Sequence, residues 1–302
     1  GQFAISGSNE GEVELGDAWI TIGENILVGR ETSRFDFGGG YGIYDGYYVD
    51  EGINQFTFIM PFGNGFSATI GLEDGRDRVA LPADVDTGGG FNWSEAFSTS
   101  HVGGMEIPDV VASLRLSQAW GSAQISGALH QLRPIADDTP NTQVTDEQFG
   151  WAVQAGVEVN ISSATKVKAV AAYADGALAY VGGSSFIEVG VQDTNGVLVG
   201  TYLGEILETL SGWYVLGAVS HDFSDQLNLS ATVAYHEFEE QADILYLGAT
   251  AEYEVVENLV VSVAGNYVST DYSGAALNAL GDVVDTTDTD AWEAKLRVQR
   301  NF

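Results

Sequence analysis

Alternation of apolar and polar side chains with a period of two, repeated along almost the whole chain, is the feature that most restricts this sequence. The last segment is the cleanest case: Trp292, Ala294, Leu296 and Val298 alternate with Glu293, Lys295, Arg297 and Gln299. The same two-faced pattern sets Trp151, Val153, Ala155, Val157 and Val159 against Ala152, Gln154, Gly156, Glu158 and Asn160. It returns in Leu227, Leu229, Ala231, Val233 and Tyr235 against Asn228, Ser230, Thr232, Ala234 and His236. A period of two over such lengths is the signature of a strand with two unlike faces. Further strands read as Phe66 to Leu72, Val110 to Leu116, Ala123 to Leu129, Val167 to Tyr173, Trp213 to Phe223, Leu247 to Val255 and Leu259 to Tyr267. Less regular ones read as Phe3 to Gly7, Glu12 to Ile22, Ile26 to Arg30 and Phe56 to Met60. The total is about 14 strands by alternation.

Alternation leaves open which face is dry, since a soluble sandwich buries its apolar face and a membrane barrel turns it to lipid. No apolar run is long enough for a transmembrane helix, which needs about 18 residues or more. Two further patterns favour the barrel. Connections alternate between tight turns, such as Trp120-Gly121-Ser122 and Glu257-Asn258, and long segments, such as Glu73 to Ile107 and Asp175 to Gly212. Phe62, Phe66, Trp120, Phe223, Tyr253 and Phe302 fall near the tight-turn ends of strands, whereas Trp151, Tyr173, Trp213, Tyr235, Tyr267 and Trp292 fall near the long-loop ends. Two aromatic rings at opposite strand ends match the girdles at the two lipid-water boundaries. The reading is an all-β, transmembrane antiparallel β-barrel, with residues 1–302 as a single outer-membrane domain.

Charge removes other classes. The 43 Asp and Glu against 11 Lys and Arg give a net charge of −32, which excludes a nucleic-acid partner, because phosphates require cations. With no cysteine there is no disulfide framework, thiol nucleophile or zinc-thiolate site. The opening Gly1-Gln2-Phe3-Ala4-Ile5 has neither the basic nor the apolar region of a secretory signal, so any signal is already removed or was never in this chain. Alternation turns Arg115, Lys166, Lys168, Lys295 and Arg297 toward the barrel interior. A charge facing lipid at mid-membrane would cost about 2–4 kcal/mol, which by itself accounts for that placement.

Asp84, Asp86, Asp285 and Asp288 lie in acidic stretches of outer loops, where their oxygens would suit Ca²⁺ or Mg²⁺ and bridge to anionic lipopolysaccharide. They lack the twelve-residue spacing of an EF-hand with its terminal Glu, and plain solvation is the preferred reading of each single residue. No other cofactor is indicated. Gly38-Gly39-Gly40 is followed by Tyr41 and forms no phosphate loop, and His101, His130, His221 and His236 form no zinc-protease motif. No serine sits on a nucleophile elbow, so the chain reads as no enzyme.

Three stretches carry a family resemblance: Gly63 to Gly75 (GNGFSATIGLEDG), Ile107 to Leu114 (IPDVVASL), and the ending Asp290-Ala291-Trp292 with Arg297 to Phe302 (RVQRNF). They resemble the general-diffusion porins of alphaproteobacteria. The resemblance implies a 16-stranded barrel, a homotrimer in the Gram-negative outer membrane, and ion transport by passive diffusion of small hydrophilic solutes. It also implies a third outer loop folded inward as a constriction, here about residues 31–51. The family places five strands before that loop and this chain offers three, so either two strands precede the sequence or the barrel is built differently. The candidate constriction residues are Asp36, Tyr41, Tyr44, Asp45, Tyr47, Tyr48, Asp50 and Glu51. Glycines let such a loop fold tightly, tyrosines pack while keeping a hydroxyl, and carboxylates would give a preference for cations. Terminal Phe302 would serve as an assembly signal. Phe186 to Gln192 with Val197 to Leu203 reads as a hairpin too short to span, an extracellular ornament. Two other functions fit the same barrel: a substrate-specific channel for sugars or nutrients, and a closed structural or adhesive barrel.

Overall fold

The computed structural model describes residues 2–7, 13–44, 52–75, 106–132, 148–182, 189–191, 206–209, 211–239, 242–272, 276–277, 283–284 and 288–300. Its strands are β1 (Gln2–Gly7), β2 (Val13–Ile22), β3 (Ile26–Thr32), β4 (Gly52–Gly63), β5 (Phe66–Glu73), β6 (Asp109–Gln118), β7 (Gly121–Leu132), β8 (Gln148–Asn160) and β9 (Thr165–Asp175). There follow β10 (Val189–Val191), β11 (Ile206–Thr209), β12 (Ser211–Asp222), β13 (Leu227–Phe238), β14 (Ala242–Val256), β15 (Leu259–Tyr272), β16 (Ala276–Leu277), β17 (Val283–Val284) and β18 (Thr289–Arg300). Fourteen of them form one sheet in the order β1 to β9, β12 to β15, β18, each pairing antiparallel with its neighbours. The expected count of about 14 is the count in this sheet. Among the described residues β1 and β18 are its two ends, and no pairing joins them.

Such a meander needs only hairpins, and the sequence supplies them at one end. Asn64 and Asn258, at φ 51° and 64°, take the left-handed conformation in two of these tight turns. The long connections lie at the other end, except that β13 and β14 are joined there by residues 239–241 alone. Strands of 10 to 15 residues, as in β6, β7, β8, β13 and β14, are long enough to cross a bilayer. The hairpin expected at 186–203 is different in detail. Val189–Val191 pairs with Ile206–Thr209 in a separate two-stranded sheet, so the second arm found is the four residues shortly before β12.

Period two sorts the side chains as read. Ile70, Ile125, Leu229, Val233 and Val263 point outward and are exposed, although large and apolar, which is the surface lipid requires. Ser113, Gln124, Ser126, Gln154, Ser230, Thr232, Thr250 and Ser262 point inward and are buried. The outer aromatic girdle forms cross-strand pairs: Trp151 with Tyr173 at 5.4 Å, Trp213 with Tyr235 at 5.5 Å and Tyr267 with Trp292 at 4.6 Å between ring centroids. At the tight-turn end Phe62, Phe66, Trp120, Phe223 and Tyr253 are exposed on the outward face. Phe302 lies outside the described residues.

The buried apolar cluster sits inside the barrel, toward the long-loop end. Its members include inward residues Val111, Ala128, Ala152, Val170, Ala172, Tyr214, Leu216, Ala234 and Phe238, together with Phe35, Phe37 and Tyr44 from the segment after β3.

Candidate functional site

After β3 the chain turns into the barrel, and residues 33–44 run along the inner wall from β5 toward β18. Burial alternates along this segment even though it belongs to no strand: Ser33, Phe35, Phe37 and Gly39 are buried, and Arg34, Asp36, Gly38 and Gly40 are half-buried. One side leans on the wall and the other faces the interior.

Wall side chains take the place of a neighbouring strand. At the root, Ser33 Oγ donates to both oxygens of buried Glu73 on β5, at 2.8 and 2.9 Å. Phe35 O accepts from Ser126 Oγ of β7 at 2.6 Å and from Gln124 Nε2 at 3.2 Å. Phe37 N donates to Gln154 Oε1 of β8 at 2.7 Å, and Gly39 O accepts from Lys168 Nζ of β9 at 2.9 Å. Tyr41 N donates to Thr232 Oγ1 of β13 at 3.3 Å, and Ile43 N to Thr250 Oγ1 of β14 at 3.1 Å. Buried backbone groups left without such partners would cost about 1–3 kcal/mol each, so the wall's amides and hydroxyls make the buried course of this segment tenable.

Two glycines provide room. Gly156 faces inward on β8, and any Cβ there would overlap the Phe37 ring. Gly42, at φ +90°, lies against β13 and β14, where a Cβ would come 2.5 Å from Thr250 Oγ1 and 2.7 Å from Ser230 Oγ.

The inward cations are tied into this arrangement. Lys168 is 3.6 Å from Glu158 Oε2 and 5.2 Å from the centre of the Tyr41 ring. Arg115 donates to Gln124 Oε1 at 3.2 Å and lies 5.2 Å over the Phe37 ring. Lys295 lies 5.2 Å over the Tyr44 ring, and Arg297 is 3.7 Å from Glu252 Oε1. Lys166 is exposed on the inner face near the tight turns. Tyr41 Oη donates to Glu158 Oε2 at 2.9 Å, and burial, reinforced by that carboxylate, raises its pKa well above the ordinary tyrosine value. Burial and the neighbouring Glu293 push Tyr44 up to about 12. Both phenols therefore stay neutral at any ordinary pH.

Of the residues singled out in the sequence, Asp36, Tyr41 and Tyr44 lie on the segment inside the barrel, with Arg115, Lys168 and Lys295 against it. Asp45, Tyr47, Tyr48, Asp50 and Glu51 lie outside the described residues, as do Asp84, Asp86 and Asp285. Asp288 is exposed, and among the described residues no group of three or more His, Asp or Glu side chains is placed to hold a metal ion.

Sequence reasoning missed the anchors. Gln124, Ser126, Gln154, Thr232 and Thr250 are legible as inward and polar, but nothing local says that a distant loop will rest on them. It also missed Arg34, which pairs with Glu31 and places a cation on a segment read as acidic. A third omission is the run 177–181, buried inside the barrel although it was assigned to an outer loop.

Known proteins share this architecture. The outer membrane channel DcaP of Acinetobacter baumannii superposes with a TM-score of 0.72 at 15% identity, over 99% of this chain and 79% of that one. OmpT of Vibrio cholerae superposes at 0.53 with 10% identity, over 99% and 84%. In sequence, Porin Omp2b of Brucella suis is 26% identical over 303 residues, 98% of this chain and 67% of that protein. Porin Omp2b of Brucella abortus (strain 2308) is 25% identical over 290 residues, 94% of this chain and 62% of that protein. The chain thus spans roughly two thirds of the length of these relatives. The pattern that defines the porin subfamily matches residues 1–295, and the chain belongs to that family, whose place is the bacterial outer membrane.

Proposed function

We propose that the protein forms a water-filled channel through which small hydrophilic solutes and ions diffuse passively, with residues 33–44 as part of its constriction. The observation that carries this reading is a segment folded into the barrel and held there by wall side chains, with Arg34, Asp36, Gly38 and Gly40 half-buried on its other side. A loop so placed narrows a lumen without sealing it. Passive diffusion asks for no positioned nucleophile or metal, and the reading assigns the protein no catalytic step.

The fixed charge favours cations. Two of the five inward cations, Lys168 and Arg297, have carboxylate neighbours that offset their charge. The chain as a whole carries −32, and at physiological salt charges act over about 8 Å, a length comparable to a narrow passage. A sugar-specific channel would need ring faces open to solute, and among the described rings of this segment Phe35, Phe37 and Tyr44 are buried while Tyr41 is half-buried. A homotrimer in contact with outer-membrane lipid and lipopolysaccharide completes the proposal. Its support is the outward apolar face with two aromatic girdles, and one solved form of the Vibrio cholerae OmpT is described as a trimer.

Planar-bilayer recording of the purified protein is the test. Ohmic unit steps and a reversal potential of cation sign under a KCl gradient are expected. Steps blocked by micromolar sugar would favour the specific channel, anion sign would overturn the charge argument, and no steps at all would return the protein to the structural barrels.

A further inference from the structure

The chain leaving β9 does not pass straight to the outside. Ala177, Leu178, Ala179, Tyr180 and Val181 are 0–2% exposed, with Leu178–Val181 forming one 3-10 turn against β8, β9 and β12. This second inserted segment contains no charge, and it meets the first. The rings of Tyr180 and Phe35 pack edge to face with centroids 4.9 Å apart.

Tyr180 is fixed on its other side by the wall. Its hydroxyl donates to Asp109 Oδ2 at 2.7 Å, and His130 Nδ1 lies 2.9 Å from both oxygens of the same carboxylate. Val181 O is 3.2 Å from Nδ1 of His236, whose ring stacks on those of Tyr214 at 5.0 Å and Phe238 at 5.9 Å. Asp109 is 1% exposed, and a carboxylate that deep is tolerable only when donors surround it.

Its place in the sheet gives the arrangement its meaning. Asp109 of β6 is the cross-strand partner of Glu73 of β5, which is also 1% exposed and which holds Ser33 at the root of the first segment. Like charges directly opposite on a sheet repel, so each carboxylate depends on the donors that an inserted segment brings to it. Two neighbouring carboxylates thus fasten two segments that are far apart in the sequence, and the Phe35–Tyr180 contact closes the circuit between them.

We propose that Tyr180 is a positioning residue for the constriction: it pins residues 33–44 against the wall, so that the second segment, with the first, sets the width of the passage. This deepens the channel reading given above and rests on it. The test uses the 302-residue chain carrying Tyr180→Ala, Tyr180→Phe, or Phe35→Cys together with Tyr180→Cys, the last pair being clean because these 302 residues include no cysteine. Heat-modifiable migration reports folding, and single-channel recording reports unit conductance and open-channel noise.

Folded Tyr180→Ala should raise unit conductance about two-fold and admit larger solutes in liposome swelling. Tyr180→Phe keeps the ring against Phe35 but loses the bond to Asp109, so it should hold the wild-type mean while increasing the noise. Folded Tyr180→Ala with wild-type conductance and exclusion limit would overturn the proposal. If that variant does not fold, Tyr180→Phe decides, and wild-type noise counts against the pin. The cysteine pair tests the contact whether or not the protein conducts. Bridging by dibromobimane in the folded protein supports the contact, and two cysteines that each react with the reagent there without bridging sink it. A wild-type protein that gives no conductance while the pair still bridges would refute the channel reading and leave the contact standing.

Discussion

The two halves of the barrel share an outside and differ inside. Toward the tight turns the inward positions are polar and reached by water, as at Lys166, Asn160 and Ser117. Toward the long loops the same strands present Val111, Val170, Leu216 and Ala234 to two inserted segments, and the wall beneath those segments is packed and dry. One strand therefore serves two interiors along its length, while its outward face stays uniformly apolar. The lipid face answers to a single solvent, but the inner face answers to whatever the loops bring in.

Single substitutions can break that comparison. Ala234 on β13 is 1% exposed in the dry half, and Ser220 on β12 faces inward in the wet half. Ala234→Arg would bury an unpaired charge and should destabilise by about 4 kcal/mol or more, whereas Ser220→Arg should change stability by less than about 0.5 kcal/mol. Urea unfolding in detergent micelles compares the two, and equal shifts would mean that both halves are equally wet.

The next largest effect concerns the inserted segment itself. Removing residues 35–44 should leave the sheet ladder intact and raise unit conductance by about two- to five-fold. An unchanged exclusion limit in liposome swelling would place the narrowest point elsewhere. Lys168→Met, which removes a cation from the wall and a donor from Gly39 O, should increase the cation-to-anion permeability ratio by about two-fold or less. A shift toward anions in the reversal potential would show that the charges at this stretch of wall do not set the selectivity.

The smallest effect is in alkali. Tyr44, raised to about 12, stays protonated in the folded protein where an unfolded tyrosine ionises near 10. The unfolded chain therefore binds fewer protons between those values, and this group's contribution to stability falls as pH rises from about 10 to 12. Phenolate absorbance should show a late-titrating component that Tyr44→Phe removes. Loss of absorbance near pH 10 in that variant would mean that the ring is not buried.

The outward face was fully legible because its rule is local: each strand declares its own lipid side by alternation, and the girdle aromatics mark its ends. The course of the first inserted segment was expected only through the family resemblance, although Phe35 and Phe37 already carry a period of two. Its anchors were legible as inward polar residues and not as anchors, since Gln154 meets Phe37 across 117 positions of sequence. The second segment went unread. Its signals were the uncharged run Ala177-Leu178-Ala179-Tyr180-Val181 inside a long loop, and the lapse of alternation at Val110-Val111 and Val215-Leu216, where both faces of a strand are apolar. A strand greasy on both sides says that something will cover its inner face, but not what.

Held by side chains instead of a ladder, residues 33–44 also keep their own time. The backbone amides of Phe37, Tyr41 and Ile43 each rest on one side-chain acceptor, whereas a strand amide opens only when its neighbours do. Hydrogen exchange at these three amides should therefore run ahead of that in β8 or β13, so that the inner passage loosens on a shorter timescale than the wall that carries it.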